Sequence, residues 1–215
     1  MKYLQNTREI DGITIRHRKP TGPGPFPLIL MLHGWTGDED VMWVFASRLP
    51  ENTMLLAPRG LYPAPHGGFG WHMHRRDSWP WVDDFKPAIE TLLGLLNSEN
   101  YPDADFSQLQ LLGFSQGAAC AYAMALLYPM LITRLAGLSG FLPEGAAALA
   151  RNSPLTGKRV FIAHGTQDDL VPVDLAREAV QVLQEAGAQV TYCEDDVGHK
   201  LSANCFRGLK DFFSQ

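Results

Sequence analysis

Short apolar runs alternate along this chain with stretches in which apolar residues recur every three or four positions. Leu28 to Leu32 (LILML) is continuously apolar and stops at His33-Gly34, the pattern of a strand buried on both faces. Ile13 to Arg16 reads as an early β-branched strand, and Thr53 to Ala57 as a run stopped by Pro58. Leu109 to Leu112 closes on Gly113, and Thr133 to Leu138, Val160 to Ala163 and Gln189 to Cys193 repeat the theme. Helical spacing is found at Asp84 to Leu96, where Phe85, Ile89, Leu92, Leu93 and Leu96 recur, and at Asp174 to Glu185, with Gly187 as its stop. Ala118 to Leu127 is apolar all round, as a buried helix should be, and Lys200 to Phe213 is predicted as a last, short helix. This alternation predicts an α/β fold, a mostly parallel central sheet flanked by helices on both faces. Pro58 to Pro80 breaks the rhythm. Rich in Gly, Pro, His and Trp, it is too long for a plain connector and is predicted to be a binding loop or a local cap.

Composition narrows the picture. With 215 residues, the chain is expected to form a single domain over 1–215, with 58–82 as a substrate-side loop. Hydrophobic residues make up 46% and charged residues 19%, enough for a core and without the signature of disorder. Lys and Arg number 18 against 23 Asp and Glu, and the resulting net charge of −5 speaks against a nucleic-acid partner. The longest near-apolar run, Ala118 to Ile132, contains Pro129 and is shorter than the roughly 18 residues a membrane span needs. The N-terminus carries no apolar leader, so a cytoplasmic location is expected. Cys120, Cys193 and Cys205 show no paired spacing, and neither a disulfide framework nor a thiolate metal site is expected.

The chemistry starts at Gly113-Phe114-Ser115-Gln116-Gly117. A serine between an apolar strand and an apolar helix sits on a tight elbow that only small flanking residues permit. Its Oγ then points out of the sheet, and the helix N-terminus behind it favours developing negative charge. Serine is a weak nucleophile without a base to take its proton and an acid to orient that base. On such elbows the chain order is Ser, then Asp or Glu, then His. Among the seven histidines only His199, after Val197-Gly198, follows both the serine and an acid. The acid lies in His164-Gly165-Thr166-Gln167-Asp168-Asp169, at the end of a strand, and the residues alone leave Asp168 and Asp169 open. Asp195 and Asp196 are also candidates, more simply read as solvated turn residues. One oxyanion donor is the backbone N–H of Gln116, and a second comes from the loop His33-Gly34-Trp35-Thr36-Gly37-Asp38. His33 precedes the serine and reads as a bracing histidine.

Together, H-G-x-(T/G)-G-D, G-F-S-Q-G, H-G-x-x-D-x-x-V-P and G-H resemble the phospholipase/carboxylesterase branch of the α/β-hydrolases, which includes acyl-protein thioesterases and lysophospholipases. The likeness runs from about Leu28 to His199, in family order. It implies an α/β-hydrolase fold without a large cap, Asp168 as the acid, and Trp35 and Gln116 as the oxyanion donors. The implied activity is hydrolysis of carboxylic esters of short to medium acyl chain by Ser115, His199 and Asp168, with no cofactor. Thioester or lysophospholipid cleavage is the near alternative. A peptidase, an acyltransferase and a non-catalytic binding protein on the same scaffold are the remoter ones. Two departures fall on the substrate side: Thr36 is an extra residue relative to H-G-x-G-D, and Pro58–Pro80 is unusually rich in Trp and His.

The remaining polar and aromatic residues add detail. Phe69, Trp71, Trp79 and Trp81 are expected to line the substrate site, with Trp43 and Tyr62 as further pocket aromatics. His66, His72 and His74 read as loop histidines rather than metal ligands, since no cysteine or carboxylate other than Asp77 accompanies them. Arg75-Arg76 reads as a solvated pair, and Cys120 as inert packing. The expected partner is a small ester or thioester, and an exposed aromatic patch also allows a homodimer.

Overall fold

The computed structural model describes residues 3–73 and 79–214. Chain order runs β1 (Tyr3–Ile10), β2 (Ile13–Pro20), β3 (Phe26–Leu32), a 3₁₀ helix (Val41–Arg48), β4 (Met54–Pro58), β5 (Tyr62–Pro63), β6 (Phe69–Gly70) and α1 (Val82–Leu95). It continues with β7 (Ala104–Phe114), α2 (Gln116–Leu127), β8 (Ile132–Leu138), α3 (Ala146–Ala150), β9 (Arg159–Gly165), α4 (Val173–Glu185), β10 (Gln189–Asp195) and α5 (Ala203–Ser214). Eight strands form one sheet in the order β1-β2-β4-β3-β7-β8-β9-β10. β1 and β2 are antiparallel, as are β2 and β4, and every pairing from β4 to β10 is parallel. This is the mostly parallel sheet that the apolar runs predict.

Alternate residues of the central strands point to opposite faces, and both faces are covered. Leu28, Leu30 and Leu32 of β3, with Met54 and Leu56 of β4, join the core beneath α1, α2, α3 and α4. Ile29 and Met31, with Leu55 and Ala57, join a second core closed by the 3₁₀ helix and α5. A run of five apolar residues is therefore required, because neither parity faces water. Burying each such Leu or Ile is worth roughly 1.5–3 kcal/mol. α2 lies deepest. All its residues from Gln116 to Leu126 are buried, which explains its lack of a polar face.

The 3₁₀ helix, the β5–β6 pair and α3 are additions to the predicted elements, and two strands depart further from the expectation. β1 forms an edge strand, and β7 runs for 11 residues rather than four. The first turn of β1–β2 is Asp11-Gly12, both at positive φ (49° and 78°), the geometry a two-residue hairpin needs. Among the described residues no separate cap domain is added to the sheet, and no helix is long and apolar enough to cross a membrane.

Three histidines fold into places that disfavour their charged form. His17 on β2 is pulled down to about 4, first by burial and then by the charges of Arg8 and Lys19. Burial also lowers His33 and His164. The unfolded chain, with histidines near 6.5, binds more protons than the native state between about pH 6.5 and 4. Stability is therefore complete above that window and falls as pH drops through it. The urea midpoint is expected to be lower at pH 5 than at pH 7. An equal or higher midpoint at pH 5 contradicts the assignment.

Candidate active site

The C-terminal ends of β3, β7, β9 and β10 converge on one cavity of about 550 Å³. Its lining includes Gly34, Trp35, Ser115, Gln116 and His199. Each is held by local structure. Ser115 sits between β7 and α2 at φ 54°, ψ −119°, a left-sided conformation that costs a non-glycine residue of order 1–3 kcal/mol. The surrounding structure enforces it. A Cβ on Gly117 would fall 2.0 Å from the Leu32 carbonyl, and one on Gly113 2.3 Å from the Gly117 carbonyl, so α2 can pack this close only on glycine. Ser115 N–H donates to Leu138 O at 2.8 Å and Ser115 O accepts from Ala118 N–H at 2.9 Å, pinning the turn from both sides. The Gln116 N–H lies in the first turn of α2, where a helix offers no internal acceptor.

Asp168 follows β9 and is buried, with every side-chain oxygen engaged. Its Oδ1 accepts the N–H groups of Leu170 (3.0 Å) and Val171 (2.9 Å), and its Oδ2 lies 2.7 Å from His199 Nδ1. The neighbouring Asp169 is exposed. Fully buried His164 donates its Nε2–H to Val171 O at 2.8 Å and stands 3.3 Å from Asp168 Oδ2. Burial holds that imidazole below its usual range, so it braces the carboxylate as a neutral ring. Asp195 and Asp196 serve the turn instead, bonding Asp196 N–H and Thr166 Oγ1.

The loop after β3 is braced by buried groups. His33 donates Nδ1–H to Gly34 O and accepts Gly60 N–H at Nε2, both at 2.8 Å, which fixes it as a neutral ring inside the loop. Glu39 and Arg59 form a two-pronged ion pair, 2.8 Å on each arm, holding the same loop to the end of β4. The extra residue Thr36 adopts φ 66°, and this kink returns the chain so that Gly37 N–H reaches Gly34 O at 3.0 Å. Gly37 O then accepts Phe69 N–H at 2.9 Å, tying in the β5–β6 hairpin.

That hairpin corrects part of the expected substrate site. Trp71 is fully buried, its Nε1–H donating to His33 O at 2.7 Å and its N–H to Gln116 Oε1 at 2.8 Å. It is scaffold, and Gly70 before it has no room for a side chain, since a Cβ there would fall 2.2 Å from the Trp35 ring. Phe69 lies under Arg59, with the guanidinium 4.8 Å from its ring centre, and does not reach the cavity. Trp81 faces a neighbouring cavity of about 350 Å³. Trp79 does line the site, 4.5 Å from the Phe141 ring between centres. Phe141, Leu170, Val171 and His72 complete the walls, and the sequence reading named none of the first three as site residues. Phe141 follows β8 without a motif, whereas Leu170 and Val171 follow Asp168 inside the H-G-x-x-D-x-x-V-P stretch, which marks the acid and not the wall. His72 accepts the Gln116 Nε2–H at 2.9 Å, so its Nδ1 carries the proton given to Met73 O. His74, Arg75, Arg76 and Asp77 lie outside the described residues. Among the described residues no cluster of His, Cys, Asp or Glu is suited to a metal. Trp43 packs on Arg16 away from the site, with the guanidinium 4.4 Å from its ring centre.

The cysteines hold the second correction. Cys193 and Cys205 form a disulfide, with Cα atoms 5.7 Å apart, where none was expected. The chain leaves β10, turns through His199 and comes back in α5, bringing together two cysteines 12 positions apart. His199 therefore rides on a closed loop. Cys120 remains a free thiol, buried in α2, and burial pushes its ionisation far up, leaving it unreactive.

Known proteins share this fold. A crystal structure of a carboxylesterase from Mesorhizobium loti superposes with a TM-score of 0.81 at 20% identity, covering 97% of this chain and 99% of that one. Such a likeness establishes the fold. Saccharomyces cerevisiae acyl-protein thioesterase 1 is 35% identical over 105 residues, 48% of this chain and 46% of that protein. An Oryza sativa subsp. japonica protein named "Probable carboxylesterase" is 30% identical over 117 residues, 54% of this chain and 44% of that one. The matched stretches span about half the length of these curated relatives. Residues 23–215 match the family model described as Phospholipase/Carboxylesterase, and the chain belongs to that family.

Proposed function

We propose that this protein is a serine hydrolase cleaving carboxylic esters of short to medium acyl chain. The observation that carries the reading is the 2.7 Å contact of His199 Nδ1 with buried Asp168, beside an elbow serine opening into the same cavity. A carboxylate at Nδ1 keeps the proton on that nitrogen, which leaves Nε2 as the base. His199 then takes the Ser115 proton as Oγ attacks the carbonyl, and Asp168 stabilises the imidazolium. The N–H groups of Trp35 and Gln116 receive the oxyanion, each donor worth roughly 3–4 kcal/mol in the transition state. The alcohol leaves with the proton from His199, and water repeats the sequence on the acyl-enzyme. No cofactor enters these steps.

The walls support an apolar acyl group, since Trp79, Phe141, Leu170 and Val171 present carbon to the cavity. Likeness to the yeast thioesterase favours thioesters as a second reading, served by the same residues. A fluorophosphonate probe is expected to add once, at Ser115, by intact mass and peptide mapping, and not at all to His199→Ala. Ester hydrolysis by a protein that takes no label would send the search to another nucleophile.

A further inference from the structure

We propose that the alcohol portion of the substrate lies in a groove between the 3₁₀ helix and α5, making esters of long apolar alcohols the preferred substrates. The inference rests on the Ser115–His199 reading and concerns which side of the scissile bond the protein selects. In the acylation step the Ser115 Oγ–carbon bond forms and the carbon–alkoxy bond breaks. The departing oxygen takes the proton His199 has just accepted. The leaving group must therefore emerge on the His199 side of the nucleophile.

On that side the chain does not fall away into solvent. Lys200 and Leu201, directly after the histidine, form one wall of a groove of about 240 Å³, and Val41, Met42, Val44, Phe45 and Phe206 line it opposite. Phe114, the residue before the nucleophile, lines both this groove and the Ser115 cavity, and its ring lies 5.0 Å from the His199 ring between centres. The two spaces thus share Phe114, one residue before the nucleophile and beside the ring of the base. Lys200 supplies the groove's charge, and its ammonium on a flexible stem can remain in water while the stem covers carbon. Two valines, Val41 and Val44, are 48% and 62% exposed along this groove, apolar surface that an alkyl chain would remove from water. Beyond Val44 and Phe206 the groove opens to a wider depression with Arg48 and Arg207 at its edge, where a longer chain reaches solvent.

The test measures kcat/KM for acetate esters of ethanol, butanol, hexanol and octanol, alongside ethyl esters of matching acids. The alcohol series is expected to rise at least tenfold from ethyl to octyl acetate, since each buried methylene adds to transition-state binding. In Val44→Asp the octyl-to-ethyl ratio is expected to fall about tenfold, and in Val44→Leu to be retained. A flat alcohol series in the native protein, or an unchanged ratio in Val44→Asp, overturns the groove assignment while ester hydrolysis itself stands. No hydrolysis of any ester in either series overturns both this inference and the catalytic reading.

Discussion

Replacing Ser115 with alanine is expected to lower kcat for a p-nitrophenyl ester by roughly 10⁴–10⁶-fold, the loss that follows removal of an activated nucleophile. The substitution isolates chemistry from folding. Alanine keeps the Cβ, so the strained φ of 54° and its cost are the same in both proteins. The turn is held by backbone bonds to Leu138 and Ala118, which the side chain does not make. A thermal melt of Ser115→Ala should overlay that of the native protein while activity disappears. Retention of more than a tenth of the activity would remove Ser115 from the reaction.

The second large effect is expected at Asp168. Asp168→Asn should lower kcat by about 10⁴-fold, because an amide can offer N–H to His199 Nδ1 and so move the imidazole proton to Nε2, where the base is needed. The amide oxygen can still accept the N–H groups of Leu170 and Val171, so the loop should keep its shape. Asp169→Asn is the control. That residue is exposed one position along and should change kcat less than twofold. Steady-state rates of both variants decide between the neighbours, and a larger loss at Asp169 would reverse the assignment.

How far the sequence foretells this molecule depends on where the information sits. The central sheet is legible because its strands are buried on both faces. LILML has no alternative to hiding both parities of side chain, and the two cores divide it residue by residue. β1 is not legible by the same signal. Its sequence YLQNTREI lies mostly exposed at the sheet edge, where polar residues cost nothing, and only the Asp11-Gly12 turn marks it. The first half of β7 escapes notice for the same reason, being partly exposed up to Gln108.

In the site, motifs carry the residues that must occupy fixed backbone positions: the glycines about Ser115, the acid after β9, the histidine after β10. Their approach follows from the strand order, which places β7, β9 and β10 on the same side of β3. The walls are another matter. Phe141 comes from the end of β8, where nothing nearby announces a cavity, and Leu170 and Val171 sit in the motif of the acid, whose pattern says nothing of which way their side chains face. Trp71 shows the converse, an aromatic residue in a promising loop that the carbonyl of His33 and the amide of Gln116 draw into the interior. The cysteine pair was hidden by arithmetic, since a spacing of 12 has meaning only once β10 and α5 are known to be neighbours.

That cystine gives the fold a dependence on its surroundings. Closing a ring of this size restricts the unfolded chain by about 3 kcal/mol, a sizeable share of what holds a typical domain together. The bond persists where glutathione and thioredoxin are scarce and is opened where they are abundant. One amino-acid sequence therefore specifies two margins of safety, a wide one in an oxidising milieu and a narrow one in a reducing milieu. The segment that gains most freedom on moving between them is the one bearing His199.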